Sequence, residues 1–145
     1  MTLLELIIAC AILLILSSAA LPIAKYTVIR QKEAELRRDL REMKDAIDRY
    51  KDAADRNQIR VEIGIDGYPP DLETLVKGVQ LGASSDRKIR FLRKVPVDPM
   101  TGQADWGLRA VQDDPDSTSW GGKNVFDVYS KSMGTALDGT KYSDW

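Results

Sequence analysis

Histidine is absent from this 145-residue chain, and cysteine occurs once. The first absence removes the commonest general base near neutral pH and the commonest metal ligand. The second excludes an intrachain disulfide. The single thiol, Cys10, lies inside an apolar run, where it reads as a small apolar helix residue, with interchain crosslinking or acylation as its other uses. A dominant charge is missing too, since 21 Lys plus Arg stand against 22 Asp plus Glu. No global field therefore recruits nucleic acid or anionic lipid. A membrane-anchored hydrolase would need a nucleophile–base pair, and the carboxylates show no paired motif. The composition argues against an enzyme.

What is present is unevenly spread. Residues 2–24 carry a single charge, Glu5, whereas Lys25 to Arg56 hold ten basic and eight acidic residues. Most Gly, Pro and aromatic residues come later. The chain divides into an apolar span (1–24), an amphipathic second half of the same helix (25–56) and a small globular head (57–145). The span meets the length of about 20 apolar residues that a membrane crossing needs. A secretory signal normally has a basic segment first and a small-residue cleavage site after. Neither is evident here, and a plain single-pass anchor stays open as the alternative use of the run.

Beyond Lys25, Ile29, Leu36, Leu40, Met43, Ile47, Tyr50 and Ala54 recur at spacings of mostly three and four, one narrow apolar stripe on a helix. Glu33–Arg37, Asp45–Arg49 and Asp52–Arg56 are acid-before-base pairs at i,i+4, each worth a few tenths of a kcal/mol. The two halves predict one helix of about 54 residues, roughly 80 Å long. Pro22 interrupts it, either as a simple kink or as a place able to lengthen by giving up helical bonds, with Ser17 and Ser18 as alternative backbone partners. Glu5 costs about 3 to more than 10 kcal/mol if ionised deep in lipid, although it can snorkel. A better partner is the α-amino group of a neighbouring copy. Were residue 1 the mature N-terminus, a slight axial stagger would bring the two together where water is excluded.

The stretch Met1-Thr-Leu-Leu-Glu-Leu-Ile, with Glu5 and Pro22 in place, resembles the start of mature type IV pilins and type II secretion pseudopilins. The resemblance implies that a leader is cut ahead of Met1, which stands where the family usually has Phe and is then N-methylated. It implies that Glu5 is the counter-charge to a neighbour's N-terminus and Pro22 a helix break. It also implies an inner-membrane protein with one span and a periplasmic head. The positive-inside rule alone would instead put Lys25 and Arg30 in the cytoplasm.

In the head, Asp66-Gly-Tyr-Pro-Pro70 reads as a turn, and Asp71 to Lys77 as a short helix ended by Gly78. Residues 79–90 read as a polar loop, Asp98-Pro-Met-Thr-Gly102 as a turn, and Trp106–Val111 and Val125–Tyr129 as strands. Asp113, Asp114 and Asp116 form an acidic loop expected to be merely solvated. The expected fold is α+β, a type IV pilin-like long N-terminal helix packed on a small antiparallel sheet with a C-terminal loop. The tyrosine-proline turn, Leu-Glu-Thr-Leu-Val, Val-Pro-Val-Asp-Pro-Met-Thr-Gly and Phe-Asp-Val-Tyr-Ser segments are similar to the major, G-type pseudopilin. The head has no cysteine, unlike the disulfide-stapled type IVa major pilins, which favours the pseudopilin over a surface-filament pilin for adhesion, motility or DNA uptake.

The resemblance implies a homopolymer, a periplasmic pseudopilus driving protein export. Its partners would be minor pseudopilins, an inner-membrane assembly platform, a prepilin peptidase, an outer-membrane secretin and the secreted proteins. It also implies Ca²⁺ in the loop after the last strand, with Asp138 and then Asp144 as the matching carboxylates. Calcium wants six to eight oxygens. The stretch 130–145 is poor in acids, Lys131 and Met133 stand where oxygen donors would help, and an ordinary Asp-Gly turn at Asp138–Gly139 is the other reading.

Overall fold

The computed structural model describes residues 2–82 and 86–145. Its dominant element is α1, Leu3–Asp55, 53 residues in one unbroken helix through Pro22. At about 1.5 Å per residue it is roughly 80 Å long. Sequence chemistry sets both ends. Thr2 caps the start. At the finish, Asn57 takes the left-handed region (φ 54°), its N–H bonds to Ala54 O at 3.0 Å, and Gln58 N–H bonds to Ala53 O at 2.9 Å. That reciprocal pair satisfies carbonyls the helix would otherwise orphan, with Asn tolerating the conformation as Gly does.

The stripe faces the head as its spacing requires. Leu36, Leu40, Met43, Ala46, Ile47, Tyr50 and Ala53 are buried, together with one carboxylate, Asp39. Ile29 and Ala54, at the ends of the expected stripe, are only half-buried. Opposite lie Leu72, Leu75, Phe91, Leu92, Trp106, Val125, Val128 and Tyr142, forming one core. Full burial of side chains such as Leu36, Met43 and Ile47 contributes about 1.5–3 kcal/mol each.

The short helix α2 is Leu72–Lys77. Asp71 caps it by accepting from Thr74 N–H at 2.6 Å, and Gly78 ends it at φ 82°, where a Cβ would sit 2.7 Å from Ile89 O. Gly is required there by both conformation and space.

Residues 79–90 are not simply a loop. Val79–Gln80 (β1) pairs antiparallel with Lys88–Ile89 (β2), and Leu81 bridges Ile59. The second pair is Trp106–Arg109 (β3) with Asp127–Ser130 (β4), in the register Trp106↔Ser130 to Arg109↔Asp127. Among the described residues the head thus holds two two-stranded sheets instead of one. Both strands of the second pair are shorter at the Val111/Val125 end than their sequence suggests, because side chains take over the backbone donors. Asp113 Oδ2 accepts from Ala110 N–H at 2.8 Å, and Asn124 Oδ1 from Val111 N–H at 3.0 Å. Val125 N–H turns away to Pro69 O at 2.8 Å. On the sheet face the Tyr129 ring lies over Gly107, close enough that a Cβ there would meet its Cζ at 2.2 Å.

The Asp98–Gly102 turn forms as expected, around a wholly buried carboxylate. Asp98 accepts from Met100 N–H at 2.8 Å and from Ser130 Oγ–H at 2.6 Å, so the turn is bolted to the end of β4. Trp106 Nε1–H donates to Pro96 O at 2.9 Å on the same side.

Candidate functional site

Two regions carry the candidate residues: the first half of α1, and the loop after β4 together with the helix turns beneath it.

From residue 2 to residue 28 every side chain of α1 is exposed, including Leu3, Leu14, Ile15, Leu21 and Ile23 at 66–75 %. Isolated apolar residues on a surface need no explanation, but a whole apolar helix does. This is the one helix among the described residues long and apolar enough to cross a membrane by length and composition, and its apolar window has no part buried in the molecule. The uncovered stretch is about 40 Å long, more than the roughly 30 Å of a bilayer's hydrocarbon.

Glu5 sits in the first turn of this stretch and has a local partner. Its backbone N–H donates to Thr2 Oγ1 at 3.3 Å, and its carboxylate accepts from Thr2 N–H at 3.4 Å. That is a capping box, and the helix N-terminus adds a favourable field for a carboxylate. The sequence signal was available, since Thr-x-x-Glu ahead of an apolar run is the pattern of such a box. Met1 lies outside the described residues, so its amine is not placed relative to Glu5.

Around Pro22 the helix stays continuous. Ser18 Oγ–H donates to Ile15 O at 2.7 Å, and Thr27 Oγ1–H to Ile23 O at 3.0 Å. The carbonyl that Pro22 leaves without a helical donor is that of Ser18, so neither hydroxyl replaces the missing bond.

Asp138 and Asp144 lie in the loop after β4. Among the described residues no group of three or more His, Cys, Asp or Glu side chains is placed to hold a metal ion. Asp138 Oδ1 accepts from Thr140 N–H at 2.9 Å and Thr140 Oγ1–H at 2.6 Å, while Oδ2 meets Arg37 Nη2 at 3.3 Å. The Thr140 bonds, and after them Arg37, hold its carboxyl below the usual carboxylate value. Asp144 is exposed in the 3-10 turn Tyr142–Asp144.

The helix residues that reach this loop were not legible as such. Glu33 and Arg37 read as a local pair, yet both point across to residues 137–145. Glu33 Oε1 accepts from Leu137 N–H at 2.8 Å and Tyr142 Oη–H at 3.1 Å. The Arg37 guanidinium lies 3.9 Å from the centre of the Trp145 ring. Neither Asp45–Arg49 nor Asp52–Arg56 forms an ion pair either. Arg49 instead donates to Phe91 O at 2.7 Å. Among the described residues, the ion pairs within α1 are Arg38–Glu35, Arg38–Asp39 and Lys51–Asp55, with Arg37 and Lys44 reaching the head.

The acidic loop is also more than solvated. Asp113 Oδ2 accepts from both Ala110 N–H and Gly121 N–H (2.8 and 2.9 Å), which closes the loop and holds its carboxyl below the usual value.

Comparison with protein-family models, with curated proteins and with solved structures gives no match.

Proposed function

We propose that this chain is a structural filament subunit, held in a bilayer by the first half of α1 and polymerising through it. In its finer form it is a pilin-like major pseudopilin whose filament serves type II protein secretion from the inner membrane into the periplasm. One observation carries the reading: an apolar helix uncovered from residue 2 to residue 28 continues without a joint into the stripe that builds the head's core. Such a helix requires an apolar surrounding, first lipid and then other copies of itself. Glu5 is the single charge in residues 2–24, and a neighbour's α-amine in a water-poor filament core is the partner that accounts for its placement. Pro22 is where the helix lengthens most cheaply on assembly by giving up helical bonds, since it already lacks one.

Replacing Glu5 with Gln tests this directly. The variant keeps the length of the side chain and makes insertion easier, so its level in the membrane fraction stays at least that of the wild type. Filament yield and secretion fall at least about tenfold, well within the roughly 4 kcal/mol of a 4 Å pair at partial solvent exclusion. Normal filaments from Glu5→Gln would refute the pairing. Filaments that form outside the cell, with export unaffected, would assign the subunit to a surface pilus.

A further inference from the structure

The loop from Met133 to Trp145 has few ties of its own. Thr135 bridges Lys141, Ala136 N–H bonds to Thr140 O at 2.7 Å, and Tyr142 N–H reaches Gly134 O at 3.3 Å. These shape the loop without fixing it to the molecule. Ala136 and Tyr142 seat the loop in the core, and its polar attachments come from one side of α1. Glu33 takes Leu137 N–H and the Tyr142 hydroxyl on a single oxygen. One turn on, Arg37 pairs with Asp138 and stacks on Trp145. Lys44 donates to Trp145 O at 3.1 Å and pairs with Asp127 of β4, also at 3.1 Å. Residues 33, 37 and 44 follow the helical repeat, so they share a face. Within the loop, Tyr142 and Trp145 meet edge-on with ring centres 5.2 Å apart, and Trp145 Nε1–H donates to Thr140 Oγ1 at 2.7 Å.

This arrangement does not suit a divalent cation at Asp138. Calcium needs six to eight oxygens, and both oxygens of this carboxylate are engaged, one by a guanidinium. A second cation within reach of Asp138 would meet Arg37 first. We propose that Glu33 and Arg37 form a helix-borne clasp that orders the loop 133–145 without any divalent cation, the Arg37 guanidinium serving as the resident positive charge at Asp138. The Arg37–Asp138 pair is about half exposed on both sides, so its charge alone contributes little. Beyond the burial of Ala136 and Tyr142 in the core, the clasp's hold comes from the stacked Trp145 ring and from the two donors gathered on Glu33.

The test uses the full chain in detergent micelles. Thermal unfolding is followed in excess Ca²⁺ and in excess chelator, and cleavage after Lys141 by a lysine-specific protease reports opening of the loop. The wild type melts at the same temperature in both solutions and resists cleavage. Arg37→Met and Glu33→Ala are cleaved roughly fivefold faster or more and melt at least about 4 °C lower. Glu33→Gln keeps an acceptor oxygen and stays near the wild type. A wild-type melting temperature that rises with Ca²⁺, and ceases to do so in Asp138→Asn, would overturn the proposal. So would Arg37→Met cleaved at the wild-type rate. The calcium comparison uses unaltered protein, so it decides even if a variant fails to fold.

Discussion

Three carboxylates, two in the head and one on α1 beneath it, have opposing effects on stability as pH changes. Asp113 is held below its ordinary value of 3.8 by the Ala110 and Gly121 N–H groups, and Asp138 by Thr140 and Arg37. Each therefore adds stability that is complete above 3.8 and is lost as pH falls through its lower native value. Asp39 runs the other way. Burial raises its value against the pull of Arg38, so its charge costs stability at neutral pH and the cost eases as acid protonates it. Acid titration of the melting temperature should show a decline setting in below about pH 4. In Asp113→Asn that decline is shallower, because the charged acceptor is gone while the loop keeps its shape. A slope identical to the wild type would mean that the carboxylate is not what closes the loop. None of these roles is visible in the sequence, where Asp113 is one acid among several and Asp39 interrupts an apolar stripe.

Among the elements, the β3–β4 pair depends on a glycine for reasons of space. Gly107 has the Tyr129 ring directly over it, and Arg109 covers that ring with its guanidinium 4.0 Å from the centre. Gly107→Ala forces the ring aside and costs about 1–3 kcal/mol. In a Tyr129→Leu background the same change costs much less, and thermal unfolding of the four proteins measures the difference. Equal costs in both backgrounds would show that the backbone, not the ring, demands glycine.

The helices were legible because their signals are local. The stripe from Leu36 to Tyr50 repeats with the helix, and Asp71 and Gly78 mark the ends of α2. The β1–β2 hairpin was not legible, since two-residue strands have no period to detect. The truncation of β3 and β4 depends on Asp113 and Asn124 reaching backbone donors, which no alternation of residues announces. For the same reason the attachments of Glu33 and Arg37, about a hundred residues away along the chain, could not be read from i,i+4 spacing.

Taken whole, the molecule is a head mounted on a helix whose first half touches none of it. The buried residues of α1 begin at Leu36, and nothing from residue 2 to residue 28 is covered. The stability of the head therefore owes nothing to the apolar half. A soluble fragment beginning at Lys25 should melt at the temperature of the full chain in detergent, with the clasp residues Glu33 and Arg37 and the neighbouring Lys44 retained. A fragment that melts well below it would mean that the apolar half supports the head through contacts absent from the isolated chain.

The absence of a joint between the two halves has a geometric consequence. In a helix of 3.6 residues per turn, one residue inserted between Arg30 and Glu33 turns Leu36 by about 100° relative to Glu5 and moves it about 1.5 Å along the axis. Seven inserted residues bring the azimuth back to within about 20°, but leave the head roughly 10 Å further out. Angle and height cannot be adjusted separately. As long as α1 stays unbroken, the direction in which the head faces, for a given seating of Glu5, is thus fixed by the number of residues between them, as the pitch of a screw ties its rotation to its advance.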